Sequence, residues 1–335
     1  MKILYAIQGT GNGHLSRALD IIPYLQQHGK VDIVVSGIQG DLKLPFEVKY
    51  PLRGLSFIFG KNGGVDMWKT LKRTNLRKFV KSVRQLPVEN YDLVINDFEP
   101  VTAWACYFKN KPCIALSHQA AVLNPAYPPA ESTDKMGRLI LQQYAPSTEA
   151  YGFHFSGNGT TIFTPVIRGQ VRGQQVTNEG HYTVYLPAYD DAKLIKRLSE
   201  YPEVNWDVFS KHNKKMLVVN NITVQPINNE EFTASMASSA GVLCGAGFET
   251  PAEALYLGKK LLVIPMKNQY EQQLNAAALK AMGVPVVKSL KPDSKPVIKD
   301  WLENGQPVPV NYPDITQEIV NKVVARHFKE SATLM

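Results

Sequence analysis

A histidine at the end of a glycine-rich turn is the first residue of the chain that could do chemistry. The turn, residues 9–14, reads Gly-Thr-Gly-Asn-Gly-His and lies between an apolar run and a helical pattern. A helix N-terminus favours an anion, and it also favours the neutral, basic form of His14. That form suits a general base that takes a proton from a hydroxyl. A histidine that caps the helix or only packs there would give the same pattern, so both interpretations stay open. The ligand contacts predicted in this turn are Gly11, Asn12 and Gly13.

The same turn excludes two common nucleotide-binding motifs. His14 stands where the dinucleotide-binding fingerprint has its third glycine, which disfavours a nicotinamide enzyme. The phosphate loop of nucleoside triphosphatases needs Gly-Lys-Ser/Thr, whereas Gly13 is followed by a histidine.

A second glycine-rich turn follows an apolar run that ends at Cys244. Thr250 is predicted to cap the next helix with Pro251 at its first position, and the N–H groups of the turn would fit a diphosphate. Glu253, in the first turn of that helix, could accept two hydrogen bonds from the diol of a ribose. Thr250 and Glu253 also have the spacing of a capping box, and spacing alone favours that alternative. The residues predicted to bind a ligand here are Gly245, Ala246, Gly247, Phe248, Thr250 and Glu253.

Polar residues also follow other predicted strands. Glu271 and Gln272 come after the strand 261–264 and could meet the hydroxyls of a sugar, although an ordinary polar helix start explains them equally well. Asp97 follows the strand 93–96, and ligands bind at the carboxyl ends of parallel strands. We predict that Asp97 contacts an acceptor or partners His14, with a helix cap as the alternative. His118, after the strand 114–116, is a further candidate of the same kind.

Strands alternate with helices in two series, which predicts an α/β fold with two Rossmann-like domains that face a cleft. The domains are predicted at 1–167, which would bind the acceptor, and 168–335, which would bind the donor, with a linker at about 168–180. The last helix carries an apolar stripe and is expected to pack back on the first domain. The predicted strands are 3–7, 32–36, 93–96, 114–116, 161–166, 183–186, 217–220, 242–244 and 261–264, and the predicted helices are 16–28, 68–86, 193–201, 230–239, 251–257, 270–282 and one after 314.

Composition excludes several classes of protein. The 335 residues are 44% apolar, which disfavours a disordered chain or a fibre. No apolar run is long enough to span a bilayer and the opening is too short for a signal peptide, so we expect a cytoplasmic protein. The three cysteines have no zinc or disulfide spacing. The net charge of +8 suggests an anionic partner.

A basic stripe lies on the predicted helix 68–86, which contains no acidic residue. Such a face is usually only solvated, but this density of charge favours peripheral contact with an anionic membrane that carries a lipid-linked acceptor. Nucleic acid is disfavoured because no recognised binding module is present. Leu76, Val80 and Val83 are predicted to pack on the sheet of the first domain. The stripe consists of Lys69, Arg73, Arg77, Lys81 and Arg84.

The block 245–276 resembles the donor half of GT-B glycosyltransferases, and it is most similar to family 28, which includes the bacterial N-acetylglucosaminyltransferase that forms lipid II. It reads G-x-G-x-x-T-x-x-E-A-x-x-x-G-K, a strand ending in I-P, and E-Q-x-x-N-A. The resemblance implies that Glu253 binds the donor ribose, that 245–250 face the diphosphate, and that Glu271 and Gln272 contact the sugar. It also implies transfer from a UDP-sugar to a hydroxyl with inversion and with neither a metal nor a cofactor. His14 stands where many plant-type sugar transferases have their base.

Two departures and two rival functions remain. Glu271 replaces a glutamine of the lipid II enzyme, and the residues after His14 lack the usual proline, which leaves the donor sugar and the acceptor undetermined. An Asp97-x-Glu99 pair could hold Mg²⁺ in the other large transferase class, but that class has one merged sheet. A nucleotide-sugar 2-epimerase or a non-catalytic nucleotide-sugar binder would use the same two-domain fold.

Overall fold

The computed structural model describes residues 1–37, 44–54, 76–130, 134–157 and 159–333, which form two parallel α/β sheets with helices around them. The first sheet has the order β3-β2-β1-β4-β5-β6-β7 and is parallel throughout. Its strands are β1 (Lys2–Gln8), β2 (Lys30–Ser36), β3 (Val48–Leu52), β4 (Leu93–Asp97), β5 (Ile114–Ser117), β6 (Glu149–Phe153) and β7 (Ile162–Phe163). The helices of this part are α1 (Gly13–Gln26), α2 (Leu76–Gln85), α3 (Pro100–Phe108), α4 (Gln119–Val122) and α5 (Lys135–Gln143), with a 3₁₀ turn at Val88–Asn90.

The second sheet has the order β10-β11-β9-β8-β12-β13. Its strands are β8 (Tyr182–Tyr185), β9 (Trp206–Ser210), β10 (Leu217–Val219), β11 (Ile222–Pro226), β12 (Gly241–Gly245) and β13 (Lys260–Ile264). Its helices are α6 (Gly169–Arg172), α7 (Asp191–Leu198), α8 (Asn229–Ser238), α9 (Glu249–Tyr256), α10 (Tyr270–Ala281) and α11 (Lys295–Asn304), and a 3₁₀ turn lies at Pro292–Ser294. The predicted strand 217–220 is present as β10, but it runs antiparallel to β11, because Asn220 adopts a φ of 52° and turns the chain back.

The predicted α/β class and the two Rossmann-like sheets are confirmed. Four strands were not predicted, namely β3, β6, β9 and β11. Gly152 lies inside β6 and interrupts its pattern of apolar residues. A Cβ at that position would lie 2.6 Å from the Cβ of Ala121 in α4. The glycine is therefore needed for helix packing, and it hides the strand from a search for apolar runs.

The last helix, α12 (Thr316–Thr333), packs on the first domain, as its apolar stripe predicts. Ile319, Val320, Val323 and Val324 are buried in the same core as the apolar residues of α1. The Nε2 atom of His28, two residues beyond α1, lies 2.7 Å from the Oδ1 atom of Asn321. The chain thus returns to the first sheet after it has built the second, which ties the two halves together.

Helix α2 shows the predicted basic stripe in part. Arg77, Lys81 and Arg84 are exposed, whereas Lys69 and Arg73 lie outside the described residues. The predicted packing of Leu76 and Val80 on the sheet is wrong, because they are 66% and 40% exposed. Val83 does pack inward, and Phe79 packs beside it, so the buried face of the helix is rotated from the predicted one.

Candidate active site

Both glycine-rich turns lie where the strand order of a sheet reverses. In the first sheet, β1 and β4 are neighbours, so the turn that carries His14 lies beside Asp97 at the end of β4. In the second sheet, β8 and β12 are neighbours, and the turn 245–249 follows β12. Ligands of open α/β sheets bind at such reversal points. The fold therefore places both predicted turns at ligand-binding positions.

His14 and Asp97 form a hydrogen-bonded pair. The Nδ1 atom of His14 lies 2.8 Å from Oδ1 of Asp97. Arg17, one turn along α1, donates from Nε to Oδ2 at 3.1 Å and from Nη2 to Oδ1 at 2.7 Å. His14 is 13% exposed, whereas Asp97 is fully buried. The carboxylate thus fixes the imidazole from the inside, and the Nε2 atom on the other edge of the ring lies 3.5 Å from Nε2 of Gln119.

Arg17 and His14 keep the Asp97 carboxylate charged. Burial alone would raise the pKa of Asp97, but the charge of Arg17 and the hydrogen bonds from His14 and Arg17 outweigh burial and lower this pKa. Burial likewise opposes the charge of Arg17, and Asp97 and Glu249 reverse that effect and raise the pKa of the guanidinium. An ionised partner on Nδ1 keeps the second nitrogen of His14 available as a proton acceptor.

A strained turn follows Asp97. Phe98 has a φ of 55°, which is unfavourable for a bulky side chain. Asn96 holds the turn in place, because its Nδ2 donates to the carbonyl of Glu99 at 2.8 Å and its Oδ1 accepts from the Glu99 N–H at 2.7 Å. The Phe98 ring consequently lies parallel to the His14 ring, with 6.4 Å between centroids, and 4.8 Å from the ring of Tyr144. An aromatic wall therefore flanks the histidine.

Helix α9 begins earlier than predicted. The N-cap is Phe248 and the first helical residue is Glu249, so the prediction of Thr250 as the cap and Pro251 as the first residue is wrong. Phe248 is already in the helical region of φ and ψ, and its carbonyl accepts from the N–H of Ala252 at 3.2 Å. Pro251 is tolerated because the first four N–H groups of a helix have no partner within it.

Three glycines of the two turns, Gly11, Gly245 and Gly247, face space that a side chain could enter. A Cβ on Gly11 or Gly247 would meet no described atom within 4 Å. A Cβ on Gly245 would approach only Oε1 of Gln272, at 3.7 Å, and Ile264 O, at 3.9 Å. The backbone of the two turns is therefore accessible to a ligand.

The two turns meet through a charged contact. Nη1 of Arg17 donates a short hydrogen bond to Oε1 of Glu249, the first residue of α9. A Cβ on Gly13, the first residue of α1, would lie 3.2 Å from Cγ of Glu249. Burial raises the pKa of Glu249 to about 7, against the lowering effect of Arg17. Neither Arg17 nor Glu249 was assigned a role from the sequence.

Glu253 does not form the capping box. Its carboxylate accepts two hydrogen bonds from Arg168, from Nε at 2.5 Å and from Nη2 at 2.8 Å. Glu253 is 2% and Arg168 is 6% exposed. Arg168 lies at the start of the predicted linker and also donates to Oδ1 of Asn229 at 2.5 Å. The linker thus fixes the orientation of the glutamate predicted to bind ribose.

The predicted sugar contacts lie at the start of α10. Glu271 is half-buried, whereas Gln272 is buried and its Oε1 accepts from the N–H of Met266 at 2.8 Å. Gln272 therefore shapes the turn after β13, and the Glu271 side chain remains the more accessible of the pair.

His118 joins the two halves of the molecule. Its Nε2 lies 2.7 Å from Oδ1 of Asn275, whose Nδ2 donates to the carbonyl of Ala246 at 3.1 Å. The ring of Phe248 stacks on the His118 ring with 3.8 Å between centroids. The side chains of Ala246 and Phe248 are thus packed inward, and only their backbone groups are available to a ligand. Burial lowers the pKa of His118 to about 3.

Glu99, rather than Asp97, caps helix α3. Its carboxylate accepts from the N–H groups of Val101 at 2.7 Å and Thr102 at 2.6 Å. The cap proposed as the alternative for Asp97 is therefore wrong. The two carboxylates are engaged by different partners, and among the described residues no group of His, Cys, Asp and Glu has the arrangement of a metal site.

The residues that sequence reasoning missed had weak signals. Arg17 lies three positions after His14, so the two share a helix face, and it is the charged residue among Leu15, Ala18 and Ile21. Glu249 likewise precedes Glu253 by one helical turn. An arginine or a glutamate on an otherwise apolar face indicates a buried partner, but the sequence does not say which.

Comparisons with known proteins agree with this arrangement. The chain matches three solved structures in fold: a glycotransferase of kitacinnamycin (13% identity, 98% of this chain and 95% of that chain, TM-score 0.57), UGT89C1 of Arabidopsis thaliana complexed with UDP (12%, 99% and 99%, 0.56) and a UDP-N-acetylglucosamine 2-epimerase (13%, 98% and 96%, 0.54). No curated protein gives a significant match. Across the described residues, no helix is long and apolar enough to cross a membrane. Residues 1–305 match the family described as "Glycosyl transferase family 1", so the chain belongs to that glycosyltransferase family and has the GT-B fold.

Proposed function

We propose that the protein transfers a hexose-type sugar from a nucleotide diphospho-sugar, with UDP as the nucleotide, to an acceptor hydroxyl with inversion. The observation that carries this proposal is the His14–Asp97 pair at 2.8 Å, which lies beside the glycine turn of the second domain. His14 accepts the proton of the acceptor hydroxyl, whose oxygen attacks the anomeric carbon. The bond from that carbon to the diphosphate oxygen breaks, and the nucleoside diphosphate leaves from the opposite face.

The donor is placed at the start of α9. The backbone N–H groups of 245–250 and the dipole of α9 would stabilise the charge that develops on the leaving diphosphate, without a metal or a cofactor. Glu253 would meet the ribose diol, since each carboxylate oxygen bound to Arg168 keeps a second lone pair. The family 28 resemblance of this block and the UDP complex of a protein with the same fold support UDP as the nucleotide.

The acceptor is placed against the aromatic wall of the first domain. The half-buried Phe98 ring lies beside His14, with the buried Tyr144 ring packed behind it, and offers an apolar surface next to the base. Helix α2 presents Arg77, Lys81 and Arg84 to solvent, and it packs on α3, where Tyr107 and Phe108 are 61% and 68% exposed. Basic and aromatic side chains on one side of the molecule are suited to an anionic leaflet. This supports a lipid-linked acceptor and peripheral membrane contact.

The test is release of UDP from a panel of UDP-sugars, with and without hydroxyl acceptors, by the wild type and His14→Ala. Loss of a general base should lower turnover by about 10²–10⁴ while UDP affinity stays within a few-fold. His212→Ala, at an exposed histidine of the second domain, is the matched control and should retain full activity.

The rival functions give different outcomes. A 2-epimerase would convert the donor with no acceptor present. A non-catalytic binder would bind UDP-sugars, release no UDP and tolerate loss of His14. Unchanged turnover of His14→Ala would remove the histidine from the mechanism.

A further inference from the structure

The Glu249 carboxylate occupies a position that is suited to an anion of the ligand. It is the first residue of α9, and a Cβ on Gly13, the first residue of α1, would lie 3.2 Å from its Cγ atom. The Glu249 side chain therefore lies between the starts of two helices, and Arg17 donates to its carboxylate. Helix N-termini and arginine are the groups by which proteins bind phosphate.

The charged groups around Glu249 make the binding of a second anion electrostatically unfavourable while Glu249 is ionised. From α1 it faces Arg17 and His14, and from the first sheet it faces Asp97 at the end of β4 and Tyr5 on β1. Two more charged groups lie near it on the second-domain side, Glu253 on its own helix and Arg168 of the linker. Arg17 is already neutralised by Asp97, so an ionised Glu249 makes the corner where the diphosphate is placed net negative.

We propose that the donor diphosphate displaces Glu249 from Arg17, and that the Glu249 carboxylate takes up one proton from solvent as the donor binds. Arg17 keeps Asp97 on its Nε and Nη2 atoms and turns its Nη1 atom from the carboxylate to a phosphate oxygen. The neutral Glu249 carboxyl then no longer repels the diphosphate and can donate a hydrogen bond to it. The inference rests on the proposed function and names Glu249 as the group that couples donor binding to pH.

The environment of Glu249 makes proton uptake accessible near neutral pH. Burial already raises the pKa of Glu249 to about 7, and an added diphosphate would raise it further. Above that pH, binding requires a proton, so the Kd of UDP should rise about tenfold per pH unit. The terminal phosphate of UDP loses its last proton near pH 6, below this window, so its own titration contributes little.

The experiment measures UDP binding by titration calorimetry between pH 7.5 and 9, in pairs of buffers that differ in ionisation enthalpy. The wild type should take up close to one proton at pH 8.5, and its Kd should rise about tenfold per pH unit. Glu249→Gln should take up no proton and bind UDP more tightly than the wild type at pH 9. Glu230→Gln, the same change in the exposed first turn of α8, should behave as the wild type.

Three results would overturn the inference while the proposed function stands: UDP binding without proton uptake, a Kd that is equally steep in Glu249→Gln, or weaker binding by that variant at pH 9. Arg17→Lys, which keeps the charge but loses the planar fork, should weaken UDP binding at least tenfold at pH 6.5 while the melting temperature reports its folding. Unchanged affinity would exclude Arg17 as the phosphate ligand. If folded wild type binds no UDP and no other nucleotide, the donor site itself is wrong.

Discussion

Replacement of Asp97 by asparagine should separate the two tasks of the buried carboxylate. Asp97 is fully buried and accepts hydrogen bonds from His14 and from two nitrogens of Arg17. Asp97→Asn leaves the buried guanidinium with Glu249 as its remaining carboxylate partner. Removal of one member of a buried pair costs about 3–5 kcal/mol, and the surviving Glu249 contact favours the lower value. At about 2–4 °C per kcal/mol, the melting temperature should fall by roughly 6–12 °C.

The catalytic effect of Asp97→Asn has a different origin. The asparagine no longer fixes the Nδ1 proton of His14, so kcat should fall by about 10²–10⁴. The assays are UDP release and thermal melting on the same samples. Glu99→Gln is the matched control, since this carboxylate is equally buried but caps α3 and does not contact His14. It should lose stability and keep kcat within a few-fold.

A double variant tests the reasoning directly. Arg17→Met with Asp97→Leu removes both charges of the pair, and such exchanges are often neutral or stabilising. Glu249 also loses Arg17, which lowers its pKa, so melting is measured at pH 6.5, where this carboxyl is protonated and leaves no unpartnered charge. The melting temperature should recover by most of the loss, while kcat should stay low. If Asp97→Asn leaves the melting temperature and kcat unchanged, the hypothesis that the Arg17–Asp97 pair orients His14 is refuted.

Three further predictions follow from other parts of the molecule. Burial lowers the pKa of His154 to about 4, so this residue contributes stability that is present above pH 6.5 and lost as the pH falls toward 4. Between pH 6 and 5, the unfolding free energy of His154→Gln should therefore fall less steeply than that of the wild type, by about 1.4 kcal/mol per pH unit. Urea titrations measure both slopes, with exposed His212→Gln as the control, and equal slopes would contradict the prediction. Phe98→Ala should raise the acceptor KM at unchanged UDP affinity. Phe98→Gly should be about 1 kcal/mol more stable to unfolding than Phe98→Ala, because glycine relieves the strain of the positive φ. Equal stability of the two variants would show that the turn is unstrained. The triple change Arg77→Glu, Lys81→Glu and Arg84→Glu should weaken binding to anionic vesicles at least 100-fold, since each basic residue contributes about 1 kcal/mol. The matched control, Lys193→Glu, Lys214→Glu and Lys215→Glu, changes exposed lysines of the second domain and should bind as the wild type. Equal binding by the two triple variants would exclude the α2 surface.

The sequence predicted the elements well because their signals are local. Apolar runs such as 3–7 and 242–244 lie in the middle of their sheets, where both faces are buried and the run is continuous. Strand β9, with Asp207 and Ser210, and β3, with Pro51, lack such runs and were missed. The start of α9 was misplaced because Phe248 is anchored by His118, a contact between residues 130 positions apart in sequence.

The positions of the candidate site residues and the His14–Asp97 pair were predictable, but the pairs formed by Arg17 and Arg168 were not. His14, Asp97 and the two glycine turns follow from strand ends and helix starts, which a single segment of sequence specifies. The contacts of Arg17 with Glu249 and of Arg168 with Glu253 join segments 232 and 85 residues apart. No local pattern distinguishes a glutamate that caps its own helix from one that pairs with an arginine distant in sequence.

The two arginine–glutamate pairs together explain why a protein would place two acids at the start of a helix meant for an anion. Glu249 and Glu253 are one turn apart on α9, and each accepts a hydrogen bond from a guanidinium outside that helix, Arg17 in α1 and Arg168 just before α6. The two glutamates hold both arginine side chains at the start of α9, where a buried charge without a partner would destabilise the fold. A diphosphate can replace a carboxylate on an arginine with little change in geometry, since both present paired oxygens to the same fork. The Arg17–Glu249 contact thus already holds a carboxylate where the diphosphate of the proposed donor would bind.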